Sequence, residues 1–248
     1  MSAFIGSGRV RIAPYDVAVP FGSRIFGDLG NTSAFTFNFS ENRQELRDYR
    51  DPAGGVDASA ARIEAVNGSM DARHFTAANL AMAVWGNTNV LGATPITGES
   101  HKARFGKFVP TNRLINTSVP PVVTAGADTV LATDYVVSAA GITFIATPTT
   151  VGLTDGEDIT IAYTPVASND VQALLNAAPN VSIFFDGVNT VDNKRTTGRW
   201  YKCKLGVASD LPFIGDDFGT LPITFTVEKD ETIVGAGKSQ FFEIQQEA

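Results

Sequence analysis

The chain is poor in the residues that most chemistry needs. Its 248 residues hold one cysteine, two histidines, three methionines and two tryptophans. Cys203 has no second thiol, so an internal disulfide is excluded. It stands in the alternating run 201–205, where a small buried side chain is expected. His74 and His101 lie too far apart for a metal-ligand spacing, and neither sits in a nucleophile–base–acid pattern. Each is expected to be an ordinary hydrogen-bonding or surface residue. Charge is scarce as well: Asp, Glu, Lys and Arg make up 18% of the chain, below the usual quarter. Less surface is therefore reserved for solvation, as suits a subunit buried among copies of itself. The net charge of −7 leaves no cationic excess for gripping nucleic-acid phosphates. No apolar run approaches the ~18 residues of a membrane span, and the first six residues lack the apolar core of a secretory signal. Gly6-Ser7-Gly8 does not continue into the helix and lysine of a phosphate loop. Asp155, Glu157 and Asp158 do not match the calcium-loop spacing. The expectation is a protein that is not an enzyme, with no cofactor, no metal and no membrane partner.

What is abundant is β-strand pattern. Phe35, Phe37 and Phe39 alternate with Thr36, Asn38 and Ser40, so one face is expected in a core and the other in water. A second run at 61–72 places Arg62 and Glu64 on one face and Ile63 and Ala65 on the other, with a possible bulge at Asn67-Gly68. Between the two lies 41–57, with five acidic and three basic residues, then Pro52 and Gly54-Gly55. Hairpin loops usually span about 2–5 residues, so a loop this long is expected to be functional or disordered. Leu46 and Tyr49 among its charges point to an arm that orders against a partner, with a mobile surface loop as the plain alternative. Residues 1–30, punctuated by Gly and Pro, read as an N-terminal arm or as a strand tucked onto its own sheet. The run 76–86 reads as a helix capped by Thr76 and stopped by Gly86. A shorter helix is expected over 168–178, with Val171, Leu174, Leu175 and Ala178 as its apolar stripe. Residues 117–167 nearly lose charge and recur in short β-prone runs between turn signals. Further strands follow around 181–185, 200–205, 221–228 and 239–246.

The run Gly27–Asn31 into the aromatic strand, followed by Glu41–Gly55, resembles the major tail tube proteins of long-tailed bacteriophages. The resemblance continues through 74–80, 184–190 and 221–225. It implies a mainly β fold, a sandwich or barrel of the tail tube type, with one flanking helix, a long inter-strand loop and a small outer β insert at 117–167. The core would comprise 31–116 with 168–248. It also implies hexameric rings stacked into a tube that conducts double-stranded DNA without specific binding. Arg43, Glu45, Leu46, Arg47, Asp48, Tyr49, Arg50 and Asp51 would make the inter-ring contact. Thr36, Asn38, Ser40, Arg62 and Glu64 would face the lumen. Partners would be further copies of the chain, a tape-measure protein, a tail terminator and distal tail or baseplate proteins, in a virion tail assembled in the host cytoplasm. The competing expectation is a secreted or surface β-sandwich module that binds carbohydrate or protein. Paired exposed aromatics would favour it, but Trp85 and Trp200 lie far apart in core-like patterns.

Overall fold

Alternating side chains build most of this molecule. The computed structural model describes residues 3–50, 52 and 54–248. In chain order the strands are β1 Gly6–Pro14, β2 Gly27–Asp28, β3 Thr32–Asp48 and β4 Gly55–Ala72; helix α1 is Ala77–Ala83. Then come β5 Asn87–Leu91, β6 Ile96–Lys102, β7 Phe108–Pro110, β8 Val122–Ala125, β9 Asp128–Thr129, β10 Tyr135–Ser138 and β11 Gly141–Phe144. The last six are β12 Asp158–Tyr163, β13 Ser168–Gln172, β14 Asn180–Asn189, β15 Arg195–Leu205, β16 Leu221–Glu228 and β17 Phe242–Gln246. The fold is mainly β with one α-helix, and the chain divides into two units, 1–88 with 171–248 and 89–170.

The first unit is one antiparallel sheet in the order β2-β1-β14-β15-β16-β4-β3, with β17 on the first half of β15. The sheet curls until β3 faces β14 and β15: Phe35 lies 5.9 Å from Phe185 and 5.0 Å from Trp200, ring centre to ring centre. Phe37 stacks on Trp200 at 4.5 Å. Val10, Met70, Ile183, Cys203, Ile223 and Phe225 complete the core beneath them. Cys203 is fully buried there, and burial pushes its thiol pKa well up. Residues 6–14 are a strand tucked onto their own sheet, the second of the two readings of 1–30: they pair with β14 throughout and with β2 at Arg11 and Ile12. Phe39 leaves the core, 55% exposed against Phe242, because β3 is already running past the edge of the sheet.

Helix α1 begins as expected: the Thr76 hydroxyl accepts from the Asn79 N–H at 3.1 Å. It ends differently. Trp85, not Gly86, takes the left-handed conformation, at φ 50°. The Gly86 N–H returns to the Ala81 carbonyl at 2.7 Å and the Trp85 N–H to the Met82 carbonyl at 3.4 Å, the paired bonds of a Schellman stop. Glycine is required at 86 for space, since a Cβ there would lie 2.2 Å from the Gln172 carbonyl oxygen. The second helix is absent. Residues 168–172 form β13, paired with β5 where the chain passes between units, and Leu174 and Leu175 are 68% and 62% exposed. An apolar spacing of three and four did not produce a helix where strand pairing was available.

The second unit is a small two-sheet sandwich, β6-β12-β8-β9 against β10-β11-β7. Val123, Ile142, Phe144, Ile159 and Ile161 are buried between the sheets. It starts at Asn89 rather than at 117, because β6 pairs with β12 and β7 with β11. Asp134, 1% exposed, ties its loops together. Its two oxygens accept from the backbone and hydroxyl groups of Thr149 and Thr150 at 2.5–3.0 Å. These bonds, the Thr150 hydroxyl first, outweigh desolvation and hold the pKa at about 2, below the ordinary 3.8. A depressed folded pKa contributes stability that is present above the unfolded value and lost as pH falls through the folded one. This unit is therefore expected to lose stability between pH 3.8 and about 2. Asp134→Asn should lower its melting temperature at pH 7 and flatten that acid limb, as followed by circular dichroism.

Candidate assembly surface

Among the described residues, three features of the first unit bear on assembly. The first is the outer part of the β3–β4 hairpin. The two strands stay paired from Thr32↔Ala72 to Asp48↔Gly55, far beyond the point where β16 stops at Asn67. Residues 41–57, expected as a loop, are thus mostly a two-stranded ribbon with a short turn. Every residue from Glu41 to Arg47 and from Gly55 to Glu64 is exposed. From Ser40 to Asp48 the ribbon projects by about 30 Å at the usual rise of a strand. An isolated two-stranded hairpin is marginal in water, and this part of the ribbon is wet on both faces. Its return strand is small, with Ala58, Ser59, Ala60 and Ala61, which permits close approach.

The expected contact residues lie on this ribbon. Arg43, Glu45, Leu46, Arg47 and Asp48 are on β3, and Tyr49 and Arg50 are in the turn; Asp51 lies outside the described residues. Leu46 is 58% and Tyr49 87% exposed. Several of the charges are already satisfied locally. Arg50 reaches Asp48 at 3.1 Å and Asp57 at 3.4 Å, and Arg43 reaches Glu45 at 3.6 Å. Exposed pairs of this kind contribute about 0–1 kcal/mol, so they hold the ribbon's shape only weakly.

The second feature is the polar face of the sheet. Thr36 and Asn38 stand opposite Ser69 and Asn67 on β4, which stand opposite Thr224 and Thr226 on β16. Thr226 and Glu228 face Lys204 and Lys202 on β15. Residues opposite one another share a face, so four strands present one continuous hydroxyl, amide and ion-pair surface. The Thr36 and Ser69 hydroxyls are 2.8 Å apart, the Thr226 hydroxyl donates to Asn67 Oδ1 at 2.8 Å, and Lys202 meets Glu228 at 2.7 Å. Ser40 continues this face along β3. The bulge falls at Glu64, not at Asn67-Gly68: Ser40 pairs with Ala65 and Glu41 with Ile63, leaving Glu64 the extra residue. Beyond it Arg62 opposes Asn42 and rejoins the polar face. Sequence reasoning found the alternation in 200–205 and 221–228 but could not join those strands to Thr36 and Asn38. Strand order carries no local signal.

The third feature is a pair of open edges. β3 ends the sheet, and β2 pairs only with Arg11 and Ile12, so the Gly6–Arg9 part of β1 also lacks a strand on its outer side. Between the two edges opens a cleft of about 480 Å3. Phe4, Val10, Phe35, Phe37, Phe185 and Trp200 give it apolar walls. The rings lie flat because glycines sit beneath them: a Cβ at Gly198 would be 2.4 Å from the Trp200 ring, and one at Gly187 2.3 Å from the Phe185 ring.

His101 Nε2 is 2.7 Å from Glu99 Oε1, and the Tyr163 hydroxyl donates to Glu99 Oε2 at 2.5 Å. Burial and that carboxylate push Tyr163 up to about 12. The Asn112 N–H takes Glu99 Oε1 as well, at 2.8 Å, so both carboxylate oxygens are engaged in holding the second unit together. His74 lies over Gly30, where a Cβ would meet its ring at 2.1 Å. Among the described residues no group of three potential ligands could hold a metal ion, and no helix is long and apolar enough to cross a membrane. A family model with the description "Protein of unknown function UCP028589" matches residues 3–245 of the chain. No curated protein matches it.

Proposed function

We propose that this chain, which belongs to the family of proteins of unknown function UCP028589, is a structural subunit whose hexameric rings stack into the tail tube of a long-tailed bacteriophage. The observation that carries the reading is the β3–β4 ribbon, a long projection exposed on both faces and attached to a sheet whose last strand is unpaired. Exposed edges are templates for pairing with another chain. Ring closure removes them, because each β3 continues into the sheet of the next copy and the strands close into a barrel.

The polar face then lines the bore. Arg62, Lys202 and Lys204 stand against Asp71, Glu228 and, at the bulge, Glu64, so the lining is close to neutral. Each phosphate neutralised by Lys or Arg adds affinity that would slow a passing duplex. A surface of Thr, Ser and Asn with charges of both signs, Lys202 paired to Glu228 among them, lets DNA slide without being held. The ribbon reaches the ring above or below, where Leu46 and Tyr49 supply the anchors and six equivalent contacts act together. Tape-measure, terminator and distal tail proteins would set the length and ends of such a tube in the infected cell.

Negative-stain microscopy of the purified, concentrated protein tests the reading. Hollow rods or six-fold rings are expected. A particle that remains monomeric at every concentration overturns it.

A further inference from the structure

The segment between β15 and β16, residues 206–220, presents Phe213, Ile214 and Phe218 to solvent at 81%, 98% and 90% exposure. Three large apolar side chains on one short loop are a costly surface for a lone molecule. The loop has a firm base: Leu211 packs on the core, the Ala208 N–H donates to the Ala83 carbonyl at 2.8 Å, and Gly219 lies against Phe75 and Pro212. Its only charges are Asp210, Asp216 and Asp217, all negative.

The same molecule carries a socket of matching chemistry. The aromatic cleft between β1 and β3 shares Ser7 and Gly8 with an outer surface where Arg9, Arg11 and Arg195 meet Asp186, while Glu247 Oε2 accepts from the Arg195 backbone N–H at 3.1 Å, leaving three cations to two acids. Arg11 is bound to Asp186 at 3.1 Å. Among the described residues Arg9 and Arg195 have no ion-pair partner. Apolar walls with a positive shoulder complement an apolar tip with a negative base. We infer that the 206–220 loop is a plug that seats in the β1–β3 cleft of a neighbouring copy of this chain. The plug and the socket are different surfaces, so the contact is head-to-tail, the kind that closes into a ring when the rotation per copy allows it. The inference rests on the self-assembling reading above and adds to it which surfaces meet within a ring.

Cysteine pairing tests it. The native thiol at 203 is fully buried and silent. Phe218→Cys with Ser7→Cys places one thiol on the plug and one on the rim. Mild oxidation of assembled protein is expected to give a ladder of linked oligomers, whereas Phe218→Cys alone gives dimers at most. Charge reversal tests the same contact without new bonds. Asp216→Lys with Asp217→Lys, or Arg9→Glu with Arg195→Glu, should each weaken association about tenfold or more, as like charges meet at the rim. Combining the two pairs should restore it. All these positions are exposed, so circular dichroism melts should stay unchanged. Rings that form normally in the cysteine variant but yield no ladder overturn the plug and leave the tube reading standing. A wild-type chain that never associates overturns both.

Discussion

Replacing Glu41–Glu64 by Asn-Gly, so that a tight turn joins Ser40 to Ala65, is expected to leave a folded subunit that builds no tube. Ser40 and Ala65 are directly paired, and a two-residue turn suits that position. Among the described residues excised, all but the half-buried Asp48 are exposed, and none belongs to the core. What is lost is a few surface ion pairs at about 0–1 kcal/mol each. The melting temperature should therefore move by only a few degrees; about 1 kcal/mol corresponds to roughly 2–4 °C in a chain of this size. Stacking should fail outright, because Leu46, Tyr49, Val56 and Ile63 go with the ribbon. A milder variant, Leu46→Ser with Tyr49→Ser, keeps the ribbon and removes its anchors. Buried anchors contribute ~2 kcal/mol or more each, so tubes should need far higher protein concentration. Tubes of ordinary length from the excised chain, seen by negative stain, would falsify the role given to the ribbon.

Arg24→Ala should cost about 3–5 kcal/mol of folding stability, the usual penalty for removing one member of a buried ion pair. Arg24 is 8% exposed and holds the 15–26 segment onto the sheet. Its guanidinium donates to the Ser182 hydroxyl at 2.6 Å, the Tyr201 carbonyl at 3.0 Å and the Asp16 carbonyl at 3.2 Å. It lies 4.6 Å from the Tyr15 ring centre and 3.8 Å from Asp230 Oδ2. Asp230 is fully buried and that oxygen has no hydrogen bond, so it relies on the Arg24 ion pair. Burial works against the Asp230 charge, yet bonds from Thr232 and Tyr15, with the Arg24 charge, keep its pKa below the ordinary value. In the native chain this group stabilises above its unfolded pKa and ceases to do so as pH falls through its lowered folded pKa. Without Arg24 the folded pKa loses one of its lowering causes and moves back up, so the stabilisation that the charged carboxylate contributes at neutrality shrinks. Denaturant titrations should show the wild type and Arg24→Ala far apart at pH 7 and closer at pH 4. Arg24→Lys should recover only part of the loss, since an ammonium cannot reproduce the forked contacts. A loss under 1 kcal/mol at pH 7 would show that the pair does not anchor the segment.

Much of the local structure was legible. Phe35 and Phe37 faced the core and Thr36 and Asn38 faced water because period-two alternation is a property of consecutive residues. Thr76 capped its helix because the hydroxyl needs a partner only three residues away. The misreadings share one cause. Glu41–Asp57 looked like a loop because a ribbon wet on both faces has no hydrophobic alternation to betray it; pairing of 41–48 with 55–63 makes those parts strand. Val171, Leu174 and Leu175 had helical spacing, but 168–172 found β5 across nearly eighty residues of chain. Trp85 took the left-handed turn intended for Gly86, since glycine was needed at 86 to clear the Gln172 backbone.

From the sequence alone came the β class, the single firm helix, the amphipathic aromatic strand and a net charge of −7. Only the tertiary structure decided that 41–57 projects as a ribbon, that four strands pool one polar face, and that an acidic apolar loop and an aromatic cleft coexist on one unit. The reason is range: which way a side chain points is set by its immediate backbone, whereas which strand lies beside which is settled by hydrogen bonds and packing between residues far apart in the chain.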